Sequence, residues 1–170
     1  MPVSITGSRA VYEALKTCEV TLVPAVPETW LVHVVRSIEE DPAMTLVRLA
    51  KEEEGIAVAA GAHLAGVNSA LIMQNHGLLA SINPIVSLAF LYKIPLLMLI
   101  SYRGDFGERD PWQTQGGLMT EPVLHALNIP FRCLSSAADA RRVISEAQAL
   151  SNAALHPVAV LLSRELLWED

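Results

Sequence analysis

Short apolar runs alternate with longer segments of helical pattern along the whole chain, and this alternation constrains the fold more than any other feature. Six runs are short, rich in apolar residues and bounded by turn-forming residues, as strands are: Glu19–Val23, Thr45–Leu49, Ser69–Met73, Pro95–Ser101, Ile129–Leu134 and Pro157–Ser163. The intervening segments predict helices: Ser8–Thr17, Glu28–Glu40, Glu52–Leu64, Asn83–Tyr92, Gly117–Leu127 and Ala137–Ala154. We therefore expect a three-layer α/β fold, with a mostly parallel sheet of about six strands and helices on both faces.

The composition predicts one domain with an apolar interface. The 170 residues contain no repeat or linker, so we expect a single domain over residues 1–170. Charged residues make up 18% of the chain, against about 25% in average soluble domains, and its mean hydropathy is +0.37. So few polar side chains indicate that part of the surface is buried against another subunit.

Several classes of protein are disfavoured. The net charge of −6, without a cluster of basic residues, argues against nucleic-acid binding. Lys93 and two prolines interrupt the longest apolar run, residues 84–100, so we expect no membrane span. The first residues lack the pattern of a signal peptide, and we expect a cytoplasmic protein.

Three consecutive carboxylates, Glu52, Glu53 and Glu54, open a helix that is otherwise made of Ala, Gly, Val, Ile and Leu with one histidine. A helix that is apolar on all faces is expected to be buried. Successive helical residues point about 100° apart, so all three carboxylates cannot enter one cavity. One or two of them can serve a site; alternatively, all three only stabilise the positive end of the helix dipole.

Polar residues also follow the strands. The third strand ends in Gln74, Asn75, His76 and Gly77, which predicts either a binding site or a polar turn. In open α/β sheets ligands bind beyond the carboxyl ends of the strands, so the loops after Met73 and Ser101 are the first candidates. Glu28 follows the first strand, where it either serves a site or favours a helix start.

Residues 102–116 carry no strand or helix signal, and a loop of that length is usually functional or mobile. Its guanidinium groups, Arg103 and Arg109, match the geometry of an oxyanion and are candidates for an anionic substrate. The alternative is a solvated rim of mixed charge. No zinc-ligand spacing, nucleotide-binding loop or nucleophile elbow occurs in the sequence.

Five stretches, taken in order, resemble the N-terminal, pyrimidine-binding domain of thiamine-diphosphate-dependent decarboxylases. They are VTLVPAVPETWL, LAKEEEGIAVAAGAHLAG, ALIMQNHGLLASINPIVSL, ISYRGDFGERDPWQ and LNIPF. The chain is most similar to the sulfopyruvate and phosphonopyruvate decarboxylase group, and the resemblance spans nearly its whole length. It implies a carboxy-lyase that uses thiamine diphosphate and Mg2+ on an anionic 2-oxoacid.

The resemblance also implies roles for individual residues. Glu52 would hydrogen-bond the pyrimidine N1′ of the cofactor and take part in catalysis, with Glu53 as the alternative one residue on. Gln74, Asn75 and Gly77 match the family's strand-end pattern MQNSGLGN and would contact the cofactor. Asn75 is also a candidate for substrate binding, together with Arg103 and Arg109.

His76 replaces a small hydroxyl residue of that pattern, and Leu79 and Ala80 replace its Gly-Asn pair. His76 is therefore a candidate proton donor, or orients the substrate carboxylate, and loss of the Gly-Asn pair is compatible with a different pocket shape. Glu28 lies where relatives carry an acidic residue, and it would assist a protonation step.

The GDG sequence that binds the diphosphate through Mg2+ in this family does not occur in the chain. The resemblance therefore implies an α-type subunit whose β-type partner carries the GDG motif and a following Asn, with an assembly such as α2β2 or larger. Sulfopyruvate is the first expected substrate and phosphonopyruvate or another 2-oxoacid the second. A competing hypothesis is a non-catalytic, flavodoxin-like binding or regulatory module.

Overall fold

The computed structural model describes residues 3–169, so the ends of the predicted domain, residues 1, 2 and 170, lie outside the described part. Six parallel strands form one sheet in the order β2-β1-β3-β4-β6-β5. They are β1 (Leu22–Ala25), β2 (Thr45–Arg48), β3 (Ala70–Gln74), β4 (Leu96–Ser101), β5 (Phe131–Leu134) and β6 (Pro157–Leu162). The predicted fold class is confirmed, and the sheet is parallel throughout.

Eight α-helices and three short helical turns connect these strands within residues 3–169. The helices are α1 (Ile5–Thr17), α2 (Val32–Glu40), α3 (Glu52–Leu64), α4 (Asn75–Ala80), α5 (Ile82–Pro84), α6 (Pro111–Ala126), α7 (Ala140–Ala154) and α8 (Arg164–Leu167). The turns are the 3-10 helices Thr29–Leu31 and Ala137–Asp139 and a π-helical segment, Ile85–Phe90. No helix of the described residues is both long enough and apolar enough to cross a membrane.

Two apolar cores cover the two faces of the sheet. Alternate residues of a strand point to opposite faces, so Ala70 and Ile72 join the core under α1, α2, α7 and α8. Leu71 and Met73 join the core under α3, α4, α6 and the π-helical segment. Both faces of the central strands are therefore buried, which explains why their sequences are continuously apolar.

The predicted loop over residues 102–116 is shorter than expected, because α6 begins at Pro111. Proline suits the first turn of a helix, where its missing N–H has no partner to lose. Gly116, the predicted end of the loop, and Gly117, the predicted start of the helix, both lie inside α6. A Cβ at Gly117 would lie 2.1 Å from the carbonyl oxygen of Gly104, so the glycine lets the preceding loop pack directly on the helix.

Helix α3 has the predicted bounds but is not buried on every face. Ala59 and Ala60 pack in the core, whereas Ala57, Gly61 and Leu64 face solvent. These exposed residues recur at helical spacing, so they form one small-residue apolar stripe along the outside of α3. The prediction that α3 is buried on all faces is therefore wrong for the isolated chain.

Exposed apolar side chains are concentrated in the layer that contains α3. Twelve large apolar side chains are exposed within residues 3–169, and four of them belong to α1, α2 or α7 and its cap. The other eight lie in the α3 to α6 layer or the loop before α6: Leu64, Val86, Leu91, Tyr92, Phe106, Trp112, Leu118 and Met119. This asymmetry marks one face of the molecule as an apolar surface.

Candidate functional site

The carboxyl ends of β1, β3 and β4 lie side by side at one edge of the sheet. Glu28 follows β1, Gln74 ends β3 and Arg103 follows β4. These three residues line one cavity of about 450 Å³, together with Val32 and Gln113. The structure therefore brings together three of the residues predicted from the sequence, at the edge where ligands bind in α/β sheets.

Glu28 is both a helix cap and a buried acid. Its carboxylate accepts a hydrogen bond of 2.9 Å from the backbone N–H of Trp30, which starts the 3-10 turn. Its side chain is only 8% exposed, and its Oε1 lies 3.8 Å from Nη1 of Arg103. Burial raises the pKa of the Glu28 carboxyl, against the opposing effects of the Trp30 amide and of Arg103.

The Arg103 guanidinium is enclosed by acidic groups. Besides Glu28, it donates at 2.8 Å to Glu108 and at 3.0 Å to Asp110, and it stacks 4.4 Å from the ring centroid of Trp30. Its side chain is 9% exposed, so the mixed-charge loop is partly internal rather than a solvated rim. Three carboxylates already surround this cation, and its role as a substrate ligand stays a prediction.

Glu108 closes the loop after β4 around Arg103. Its carboxylate also accepts hydrogen bonds from the backbone N–H groups of Gly104, Arg109 and Asp110. Burial raises the pKa of Glu108, but the Arg103 hydrogen bond and the backbone donors outweigh that effect and lower it to about 2. The ionised carboxylate therefore holds the loop together.

The stability contributed by Glu108 is expected to depend on pH. A folded-state pKa of about 2, below the ordinary 4.5, makes ionised Glu108 stabilising above pH 4.5, and this contribution is lost as the pH falls towards 2. We expect Glu108→Gln to lower the free energy of unfolding most near pH 7. Glu28 is present in both proteins, so its own titration largely cancels in the comparison.

Urea unfolding of both proteins between pH 2 and 7 measures this difference. The pH range covers both the ordinary pKa of Glu108 and its lowered value in the folded protein. We expect the gap between the two proteins to stay constant from pH 7 to about 4.5 and to narrow between there and pH 2. A gap that is constant over the whole range would contradict the role of Glu108.

Gln74 links β3 to α6 and to His76. Its Nε2 donates to Oε1 of Gln113 at 2.6 Å and lies 3.1 Å from Nδ1 of His76. The imidazole rests against α6, since a Cβ at Gly116 would lie 2.3 Å from its Cε1. His76 and Gln74, both predicted site residues, are thus joined in one polar cluster with Gln113.

The three carboxylates of α3 have different surroundings. Glu54 accepts from the backbone N–H of Ala50 at 3.0 Å and stabilises the helix start. Glu53 is 43% exposed and lies 3.6 Å from Nζ of Lys51. Glu52 is half-buried, and no hydrogen bond or ion pair engages its carboxylate within residues 3–169.

Gly77 provides the space that Glu52 occupies. A Cβ at Gly77 would lie 2.3 Å from Cγ and 2.6 Å from Cδ of Glu52, so any larger residue would displace the carboxyl group. The glycine that ends the predicted strand-end motif thus cradles the carboxylate that opens α3. A carboxyl group that is partly shielded from water and has no protein partner can share a proton with a ring nitrogen of a ligand, so this pair fits a bound pyrimidine.

Asn75 and Arg109 do not line the cavity that contains Glu28 and Gln74. Asn75 is fully buried and donates from Nδ2 to the carbonyl oxygen of Arg103 at 2.8 Å and to Thr120 Oγ1 at 3.0 Å. It braces the loop after β4 against α6, and its contact with cofactor or substrate stays a prediction. Arg109 lines a second cavity of about 490 Å³, which Arg103 and Trp30 also border.

Sequence reasoning missed Gln113, Glu108 and Trp30 as members of the site. Gln113 lies in the segment without a helix signal, and its partner Gln74 is 39 residues away. Glu108 was one of several charges in a predicted rim. Trp30 lies two residues after Glu28, but nothing in its local pattern predicts an arginine against its ring.

A family model for thiamine pyrophosphate enzymes, described as their N-terminal TPP binding domain, matches residues 5–122. The solved structure of 2-oxoglutarate:ferredoxin oxidoreductase from Magnetococcus marinus is similar in fold, with a TM-score of 0.73 and 21% identity over 95% of this chain and 29% of that one. At that identity the structural match supports the fold alone.

Similar chains extend over nearly the full length. Sulfopyruvate decarboxylase subunit alpha of Methanothermobacter thermautotrophicus is 42% identical over 93% of this chain and 96% of its own. The corresponding subunit of Methanococcus maripaludis is 39% identical over 97% and 98%. Phosphonopyruvate decarboxylase of Streptomyces viridochromogenes is 31% identical, but only 34% of its length is covered. The chain therefore belongs to the thiamine pyrophosphate enzymes, within the family of sulfopyruvate decarboxylase alpha subunits.

Proposed function

We propose that the chain is the α subunit of a thiamine-diphosphate- and Mg2+-dependent enzyme that converts sulfopyruvate to sulfoacetaldehyde and CO2. The observation that carries the cofactor assignment is the partner-free Glu52 carboxylate cradled by Gly77. The similarity to alpha subunits over nearly their full length supports the substrate. Phosphonopyruvate is the second candidate because its decarboxylases are more distant and are matched over a third of their length.

Glu52 would hold the pyrimidine ring of thiamine diphosphate, which, when bound, supplies the nucleophilic carbon and the electron sink for loss of CO2. The backbone around Gly77 keeps the Glu52 carboxyl group in place, because no side chain intervenes between them. The carboxyl group can share a proton with a ring nitrogen, because no group of the described residues 3–169 competes for it.

Glu28 is suited to proton transfer in the cavity that it lines with Gln74 and Arg103. Its raised pKa keeps a larger fraction protonated near neutral pH than in an exposed glutamate. Arg103 and the Trp30 amide fix the orientation of the carboxyl group. We propose that Glu28 donates a proton to the reacting substrate and that Arg103 positions Glu28. Arg109 would contribute positive charge for the sulfonate from the adjoining cavity.

The partner is proposed to be a β-type chain with the GDG motif and a following Asn, which would bind the diphosphate through Mg2+. The apolar surface of the α3 to α6 layer supports such a contact, since eight exposed apolar side chains lie there. The low charged fraction of 18% is consistent with a surface that is covered in the assembly. The assembly would be a hetero-oligomer such as α2β2 or larger.

We expect the chain alone to show no turnover of sulfopyruvate, and the mixture with a GDG-containing partner to be active when thiamine diphosphate and Mg2+ are present. Release of CO2 and formation of sulfoacetaldehyde measure the activity, with phosphonopyruvate and pyruvate as competing substrates. Removal of Mg2+ with EDTA is expected to abolish turnover. Activity of the chain alone would contradict the need for a partner. A folded but inactive mixture with every 2-oxoacid would favour the flavodoxin-like binding module.

A further inference from the structure

The cluster of His76, Gln74 and Gln113 joins three elements that are far apart in the sequence. Gln74 is the last residue of β3, His76 lies in α4 and Gln113 lies in the first turn of α6. Gln74 contacts both of the others through the same nitrogen, at 2.6 Å to Gln113 and at 3.1 Å to His76. Gln113 also lines the cavity that contains Glu28.

The chemistry of an amide determines what His76 must do in this arrangement. An amide nitrogen carries two hydrogens and accepts none, so Nε2 of Gln74 donates one hydrogen to Gln113 and the other towards His76. Nδ1 of His76 must then accept it. A neutral imidazole that accepts at Nδ1 carries its proton on Nε2.

The opposite arrangement keeps the same pairs of side chains in contact. If both glutamine amides exchange oxygen and nitrogen, Gln113 donates to Gln74, and Nδ1 of His76 becomes the donor. The orientation of the Gln113 amide and the tautomer of His76 are therefore coupled through Gln74. A change at Gln113 that removes its acceptor oxygen releases this coupling without touching the imidazole.

We propose that Gln113 is a positioning residue that acts through Gln74 to hold neutral His76 with its proton on Nε2, ready to donate to an oxygen of the bound 2-oxoacid. The role of His76 as a proton donor to the substrate rests on the proposed function, whereas its tautomer does not. Gly116 fixes the position of the ring, since the imidazole is seated against its Cα and a Cβ there would lie 2.4 Å from Nε2.

The tautomer can be measured directly in the full chain. Nitrogen-15 chemical shifts of His76, assigned by comparison with His76→Ala, distinguish a protonated from an unprotonated Nδ1. At about pH 8.5, where imidazoles are neutral, we expect the ratio of the Nε2–H to the Nδ1–H form to exceed that of an unfolded histidine about fivefold, the factor that one net hydrogen bond sustains. A dominant Nδ1–H form in the wild-type chain would overturn the proposal.

Substitutions at Gln113 separate the acceptor from the shape of the side chain. Gln113→Glu keeps an acceptor and is expected to preserve the Nε2–H form, whereas Gln113→Met removes it and should reduce the ratio towards that of an unfolded histidine. Gln115→Met is the matched control, because Gln115 is an exposed glutamine of the same helix. Equal tautomer ratios in all three variants would overturn the coupling. If Gln113→Met does not fold, the wild-type spectrum still tests the tautomer, and loss of the Nε2–H form in Gln113→Glu would contradict the coupling.

The assembled enzyme provides a second readout. We expect Gln113→Met to lower kcat by less than about twofold, because the Nε2–H fraction falls by less than half, with little change in KM. In His76→Ala the same substitution should have no further effect, since Gln113 acts through His76. Additive losses would contradict the proposal. If the assembly lacks decarboxylase activity altogether, the proposed function fails. The tautomer measurement does not depend on activity and still tests the coupling of Gln113 to His76.

Discussion

Replacing Glu52 with glutamine is expected to lower turnover in the assembled enzyme by at least about a hundredfold, the scale of losing an acid/base contribution. Glutamine keeps the size of the side chain and its place against Gly77. It cannot share an ionisable proton with a pyrimidine nitrogen. Steady-state decarboxylation, at matched levels of assembly by size-exclusion chromatography, measures the effect.

Glu53→Gln is the matched control, because Glu53 is the neighbouring carboxylate and is 43% exposed beside Lys51. We expect it to retain near-normal turnover. The opposite pattern, with Glu53→Gln inactive and Glu52→Gln active, would transfer the role to Glu53. Near-normal turnover in both variants would remove the α3 carboxylates from the mechanism altogether.

Replacing Arg103 with methionine is expected to produce the largest loss of stability. Arg103 is 9% exposed and is paired with Glu108, which is 5% exposed, and with Glu28, which is 8% exposed. Removing one member of a buried ion pair leaves an uncompensated charge, which costs about 3–5 kcal/mol. Urea unfolding at neutral pH measures this change in the free energy of unfolding.

Arg109→Met provides the control, since Arg109 is an exposed arginine of the same loop, and surface substitutions usually change stability by about 0.5 kcal/mol or less. The double substitution Arg103→Met with Glu108→Gln should recover part of the loss, because it removes one orphaned charge along with the cation. A single Arg103→Met variant as stable as Arg109→Met would show that the cluster is not an energetic unit.

The sheet was predictable because each buried strand carries its own signal. Continuously apolar runs such as residues 96–101 identify strands that are covered on both faces, and all six were found. β1 is displaced towards its carboxyl end relative to the prediction and includes Pro24. A proline within a run normally argues against a strand, so the local pattern ended the predicted strand before it.

Helix α4 was missed because its sequence favours a turn. Asn75 and Gly77 are poor helix formers, and the preceding strand leaves only a short segment before Ser81. The reason for glycine at position 77 is the contact with Glu52, which comes from a separate element. Local propensity cannot report such a tertiary requirement.

The candidate site was predictable in its parts but not in its connections. Glu28, Gln74, His76 and Arg103 were identified from their positions after strands, and the parallel sheet brings those positions to one edge. The partners that orient them come from α6 and from the end of the loop. Charged residues are normally exposed, so a sequence of mixed charge gave no sign that Arg103 would be buried.

The apolar layer of α3 to α6 also affects how the protein must be produced. Leu64 is 80% exposed, Trp112 71% and Leu91 67%, and such surfaces associate non-specifically when nothing covers them. If the proposed assembly covers this surface, chains made in excess over the partner would remain unassembled, with the apolar surface open to aggregation and proteolysis. We therefore expect co-expression with the proposed partner to give a higher yield of monodisperse protein than either chain expressed separately.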